Sequence, residues 1–280
     1  MSAAIVLQRR DAAYMLTDAA RYYADGTIES FVDKCTVVDE ARCAITVLGP
    51  SLWQPVIAEA IRESFDCYDA VKAGIEPLAR RLYDEHADAI EWEHGTTGEL
   101  WVVGFSHAQG RGEAFTLILC DDAEWEIWQQ RSPGIGRVPF EPDVQRVPLN
   151  ANPLPASLLT FRAANFTLHE SGEDYQPEID LLHFAEIQRR IPLPGAWPHL
   201  VGGYATLTRV DHLGVTQRVI HTWEEDCVGE KIEPAPIDWV RWRAEREGGK
   251  PISRLKADAL KRRAAKAQRR LAGQVNLSAG

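Results

Sequence analysis

Three residues near the start of the chain, Ser2, Asp18 and Lys34, stand at two equal intervals of sixteen residues. Their types suit acyl transfer. A serine hydroxyl is a poor nucleophile until a base takes its proton, and an α-amine, with a reference pKa of roughly 7.7 to 8.0, is a base poised near neutral pH. Removal of Met1 would give Ser2 both groups. A lysine ammonium at position 34 disfavours protonation of that amine, and an aspartate at position 18 pairs with the lysine and keeps it ionised in place.

Such a set needs elements that bring the chain start, a strand end and a strand start together. Short apolar and β-branched runs at residues 3–8, 13–17, 35–39 and 43–48 predict four strands separated by turn signals. Gly49, Pro50 and Ser51 then stop the sheet, with Ser51 in position to cap a helix. Trp53, Val56, Ile57, Ile61 and Phe65 recur at helical spacing, and a second helix is predicted over 75–90, with Leu78, Leu82 and Ala89 facing inward. Residues 100–105, 114–120 and 124–130 return to strand texture as a meander. Six prolines between Ser132 and Pro155 predict a long irregular surface connection. Helices follow at 156–168 and 177–191, then a closing hairpin over 204–210 and 215–223. The order makes an α+β sandwich.

The first 50 residues resemble the N-terminal nucleophile (Ntn) hydrolases of the proteasome β-subunit and HslV type. In those families a threonine heads a strand, an acid closes the second strand and a lysine opens the third at these same intervals. The resemblance implies a four-layer αββα sandwich and puts Ser2, Asp18 and Lys34 in the places of those three residues. Gly49, after the run Ala44 to Leu48, resembles the glycine whose amide stabilises the oxyanion. The likeness extends more loosely to residue 223. The second acid and the serine that precede the last hairpin in that family fall at Pro198 and Val201, which carry neither group, and the nucleophile is Ser rather than Thr. What the resemblance implies is a proteasome-like hydrolase cleaving amide bonds in peptides or unfolded protein, assembled as a homo-oligomer. The alternatives are an inactive subunit of the same fold, using its C-terminal tail for assembly, and a small-amide hydrolase.

Charge separates the chain into unlike parts. Of 31 basic and 41 acidic residues, 12 basic and three acidic ones lie in residues 239–280, leaving a tail of +9 on a body of −19. An Ntn-like domain is expected over 1–228, with a linker and basic helical tail over 229–280. The acidic body offers the tail a complement in a neighbouring subunit and repels nucleic acid, which is not expected as a partner. The apolar runs are too short to cross a bilayer, the charged residues Arg9, Arg10 and Asp11 interrupt any signal sequence, and a cytoplasmic protein without membrane contact is expected. Five cysteines without CxxC spacing predict free thiols. The eight histidines show no ligand spacing, and residues 91–94 read as an exposed acidic loop, so neither metal nor cofactor is expected. Trp125, Trp128, Trp239 and Trp242 read as core or interface aromatics.

Overall fold

β1 (Ala4–Gln8) and β2 (Ala12–Asp18) bury every one of their residues, and the two faces of the pair enter different cores. Ala4, Val6, Ala13 and Met15 join one apolar cluster, while Ile5, Leu7, Tyr14 and Leu16 join another. Alternate side chains of a strand point to opposite faces, so a strand apolar on both must be covered on both. That requirement generates the layers.

The computed structural model describes residues 3–23, 25–94, 97–120, 125–126, 139–153, 158–191 and 199–248. After β2 come β3 (Ala20–Tyr22), β4 (Ile28–Phe31), β5 (Thr36–Val38), β6 (Cys43–Leu48), α1 (Trp53–Ser64) and α2 (Tyr68–His94). They are followed by β7 (Gly98–Ser106), β8 (Arg111–Leu119), β9 (Asp143–Val144), β10 (Leu149–Asn152), α3 (Leu158–Ala163) and α4 (Pro177–Arg189). β11 (Tyr204–Asp211), β12 (Gly214–Thr222) and α5 (Trp239–Arg246) complete the order. One five-stranded sheet runs β10-β1-β2-β11-β12, a second runs β5-β6-β7-β8-β9, and β3 and β4 form a separate hairpin.

The two large sheets are antiparallel and pack face to face, with Ala4, Val6, Met15 and Val210 of the first against Ala44, Leu48, Trp101 and Val103 of the second. The outer face of the second sheet is covered by α1 and α2 through Trp53, Ile57, Ile61, Val71 and Ile75. The outer face of the first is covered by α3, α4 and α5, through Phe161, Phe184, Ile187 and Trp242 among others. Helices, sheet, sheet, helices is the αββα sandwich. A buried glutamine ties the two sheets together. Gln8 accepts a hydrogen bond from the Ala114 amide (3.0 Å) and donates to the carbonyls of Gln145 (2.9 Å) and Val147 (3.0 Å). Gly112 is required beside it, because a Cβ there would strike the Ala12 backbone of the other sheet.

Several expectations are corrected. The N-cap position of α1 is Leu52 rather than Ser51, because the Trp53 amide already donates to the Pro50 carbonyl (3.3 Å) in the preceding turn. α2 begins at Tyr68, seven residues before the predicted start, and continues through residues 91–94, which are helical rather than a loop. Within 124–130 only Trp125 and Glu126 are described, and they are helical, with Trp125 buried against Ile118 and Cys120. The proline-rich connection is not wholly irregular. It lends an edge strand to each sheet, β9 on β8 and β10 on β1. The short hairpin of β3 and β4 was not foreseen. The five cysteines are free thiols.

Beyond β12 the chain stays on the body. The Ile28 amide donates to the Glu230 carbonyl (2.9 Å), the Gly229 amide donates to the Ile28 carbonyl (2.9 Å), and Thr27 bridges Lys231. α5 then docks on α4, with Arg243 bound to Asp180 at 2.6 Å and Trp239 stacked on His183 at 5.0 Å between ring centres. Residues 229–248, expected as linker and the start of a tail, are therefore packed. The predicted helix over 252–271 lies outside the described residues.

His183 is fully buried, with Nε2 3.0 Å from the Ala164 carbonyl. Burial, aided by the Arg243 charge and opposed by the Ala164 bond, pushes its pKa down from 6.5 to about 3. The unfolded chain therefore binds a proton that the folded chain refuses, so stability is fully present above pH 6.5 and is lost as pH falls towards 3. Urea midpoints measured from pH 7 to pH 4 should fall, and the fall should be shallower in His183→Gln, which keeps a donor for Ala164. An equally steep fall in that variant would assign the acid lability to other groups.

Candidate active site

The register of β1 on β2 sets Ala4 opposite Thr17, which brings the residue before β1, Ala3, beside Asp18 at the end of β2. β11 pairs on the other side of β2 with Ala205 opposite Asp18. Asp18 thus ends the middle strand of three, and both neighbouring chains converge on its carboxylate. Oδ1 accepts the Ala3 amide (2.9 Å) and the Lys34 ammonium (2.9 Å). Oδ2 accepts the amides of Gly202 (3.2 Å) and Ala20 (3.3 Å). The side chain is inaccessible to solvent. The buried carboxylate thus meets one cation and three N–H donors, the partners that a polar group removed from water requires.

Lys34 lies between β4 and β5, nearly buried, with its ammonium 5.8 Å from the centre of the Tyr22 ring. Burial lowers its pKa from the ordinary lysine value and Asp18 opposes that shift. The Tyr22 hydroxyl is buried and has no hydrogen-bond partner among the described residues. Burial, and then the charges of Asp18 and Asp226, raise its pKa far above the ordinary phenol value, so the hydroxyl keeps its proton.

Gly49 follows β6 with φ of +141°, a conformation that disfavours any side chain. A Cβ there would stand 2.8 Å from the Thr97 carbonyl and 2.9 Å from Gly98 Cα. Gly49 and Lys34 line one cavity of about 650 Å³. The β3–β4 hairpin forms one wall, where Arg21 pairs with Glu29 at 2.8 Å, and α1 forms another. Gln54 of α1 fastens that wall by donating to Thr36 Oγ1 (2.8 Å) and accepting from the Val47 amide (3.4 Å).

Of the four residues singled out by sequence, Asp18, Lys34 and Gly49 are brought to this one region. Ser2 lies outside the described residues and is bonded in the chain to Ala3, whose amide sits on Asp18. Gly202 and Gly203 lead into the last hairpin. Their carboxylate-binding role, and the involvement of Tyr22, Arg189 and Asp226, carried no local signal. No group of three or more His, Cys, Asp or Glu side chains able to hold a metal ion occurs among the described residues, and no described helix is long and apolar enough to cross a membrane.

The sequence matches no family model and no curated protein. Among solved structures it is similar to the Anbu (Gly-1) mutant from Hyphomicrobium sp. strain MC1, with a TM-score of 0.54 and 8% identity, over 89% of this chain and 94% of that one. The likeness shows the fold alone, an Ntn-hydrolase-like αββα sandwich. At that identity it says nothing of the residues that do the chemistry.

Asp18→Asn strands the buried Lys34 ammonium without a counter-charge, which should cost about 3 to 5 kcal/mol in denaturant unfolding. Adding Lys34→Met to that variant should recover much of the loss, because the pair then leaves no buried charge. A double variant no more stable than Asp18→Asn alone would show that the pair is not coupled in this way.

Proposed function

We propose that the chain is a proteasome-like Ntn hydrolase that cleaves amide bonds in peptides or unfolded protein, with Ser2 as nucleophile after loss of Met1. The observation that carries this reading is the shared oxygen: Asp18 Oδ1 binds both the Lys34 ammonium and the amide of Ala3, the residue next to Ser2. One carboxylate oxygen thereby ties the anchored end of β1 to a buried cation. The Ntn fold and the cavity that Lys34 shares with Gly49 support the same reading.

In this mechanism the Ser2 α-amine takes the hydroxyl proton as Oγ attacks the scissile carbonyl carbon. Lys34 keeps that amine unprotonated, since two cations in one site repel, and Asp18 holds Lys34 in place. The carbonyl oxygen becomes an oxyanion facing the Gly49 amide. Collapse breaks the C–N bond, the leaving amine receives the proton from the Ser2 ammonium, and water then hydrolyses the ester by the reverse sequence. The β3–β4 hairpin and α1 flank the acyl part of the substrate.

Val201 favours a second reading. It offers only an apolar side chain at the place where the resembling families carry a serine, as an inactive assembly subunit of the same fold would. Intact mass after native expression separates the two at little effort: a retained Met1 blocks the amine and defeats the catalytic reading. With Met1 removed, Ser2→Ala should abolish peptide turnover and labelling by an electrophile directed at N-terminal nucleophiles. Undiminished turnover would move the site elsewhere.

The homo-oligomer belongs to the same proposal, with the basic residues beyond 248 docked on the acidic body of a neighbour. Because α5 is packed into the domain, the cut that tests this falls after Gly248 and not at Pro234 or Pro236 ahead of that helix. Truncation there should lower the particle mass in light scattering while thermal unfolding stays unchanged. An unchanged mass argues against docking by the tail.

A further inference from the structure

The Gly202–Gly203 turn presents two successive amides to two different buried carboxylates. Gly202 N–H donates to Asp18 Oδ2 at 3.2 Å, and Gly203 N–H donates to Asp226 Oδ2 at 2.7 Å. Asp226 follows β12, on the far side of the last hairpin, and is itself clamped by Arg189 at the end of α4. Arg189 Nη1 lies 2.8 Å from Asp226 Oδ2, and Nη2 lies 2.5 Å from Asp226 Oδ1. The same Nη1 also donates to the Val201 carbonyl at 2.6 Å, so the guanidinium grips the turn directly as well as through the aspartate. Both partners are almost wholly buried, at 0% and 1% side-chain exposure. Glu225, half exposed, gives Arg189 a third acceptor at 3.1 Å. Trp223 covers the guanidinium, 5.0 Å from its ring centre.

Nothing in the hydrolytic mechanism uses this ion pair, and burying one is costly unless its geometry is well satisfied. Its cost is met by a particular service. The turn has no room for adjustment, since a Cβ on Gly202 would meet Asp226 Oδ2 at 2.5 Å and Arg189 Nη1 at 3.0 Å. The Gly202 carbonyl in turn accepts the amides of Ala19 and Ala20, both at 3.1 Å, so the backbone immediately after Asp18 is tied to the same turn.

We infer that Arg189 and Asp226 are positioning residues for the Lys34 ammonium, acting through the Gly202–Gly203 backbone and the Asp18 carboxylate. Arg189 and Asp226 set where the turn stands, the turn fixes which way Asp18 faces, and Asp18 fixes Lys34. The Tyr22 phenol lies within the same electrostatic cluster, feeling Asp18, Asp226 and Arg189 in that order. The ionisable groups facing Lys34 are Asp18 from β2 and Tyr22 from β3. Its chain neighbours are Asp33, which accepts from the Tyr204 hydroxyl at 2.9 Å, and Cys35, a buried thiol pushed up to about 11. Arg21 with Glu29 and Arg62 with Glu59 line the rest of the cavity as pairs.

The effect on turnover rests on the Ser2 reading, whereas the effect on the Lys34 proton does not. In Asp226→Asn the Gly203 amide keeps an acceptor, but Arg189 loses its buried counter-charge. Asp18 is then held less well and a positive field is left nearby, so Lys34 should hold its proton less tightly. The measurement is the pH titration of the Lys34 Nζ by NMR in 15N-lysine-labelled protein, with Arg189→Lys as the second variant and Glu225→Gln as the mild one. Asp226→Asn should move the Lys34 midpoint down, and Glu225→Gln should move it less, in the same direction. Turnover by the processed enzyme should fall in kcat by roughly tenfold to a hundredfold in Asp226→Asn and Arg189→Lys, with KM little changed. Folded variants in which the Lys34 midpoint stays at the wild-type value overturn the inference, even when their denaturation midpoints drop. Should the stronger variants fail to fold, Glu225→Gln decides by the same criterion. A protein without Ser2-dependent turnover refutes the catalytic reading alone, and the Lys34 titration still decides this one.

Discussion

The structure depends on how the Asp18 carboxylate is satisfied. A charge with no access to water is tolerated only when paired and hydrogen-bonded, and Asp18 meets that condition with donors from four separate stretches of chain. Ala3 reaches it from before β1, Ala20 from after β2, Lys34 from after β4 and Gly202 from before β11. None of these segments can shift without leaving a buried charge short of a partner. The pair therefore fixes the relative placement of the chain start, the lysine and the turn ahead of the last hairpin.

The layers around it serve the same end. The inner strands of each large sheet are apolar on both faces, so they are buried on both, and β1 and β2, which hold Asp18 and its first neighbour, lie in the interior of the sandwich. Gln8 spans the gap between the sheets, and Gly112 lets them approach. On one side the chain after β12 zips onto the β3–β4 hairpin that walls the cavity, and then anchors α5 on α4. The same stretch contributes Asp226, so the cavity wall and the support beneath Asp18 are held by a single length of chain.

Elements with strong local patterns were legible. The four apolar runs of the first 50 residues, the stripe of Trp53, Ile57 and Ile61, the α4 helix and the closing hairpin all fall where periodicity puts them. What escaped were elements whose stability is borrowed. β3 and β4 are only three and four residues long, and they exist by pairing with each other and with residues 229–231 and by packing on Ile232. β9 and β10 lie among prolines, which rarely enter sheets, and both are edge strands, where a missing N–H is tolerated. Trp125 follows the acid Glu124 and precedes Glu126 as a strand residue would, yet it and Glu126 are helical, with the indole buried against Ile118 and Cys120.

By itself the sequence determined which side-chain types suited to acyl transfer are present and how far apart they lie along the chain, because strand ends and turns are local. The intervals separating Ser2, Asp18 and Lys34, and the glycine after β6, are facts of that kind. Only the tertiary structure decided what surrounds them. The Gly202 amide that completes Asp18 comes from 184 residues away, and the Arg189–Asp226 pair beneath it joins the end of a helix to the chain beyond the last strand. A local pattern carries no record of which distant backbone will close over a charge. The hydrogen bonds so created are what hold Asp18 and Lys34 in place.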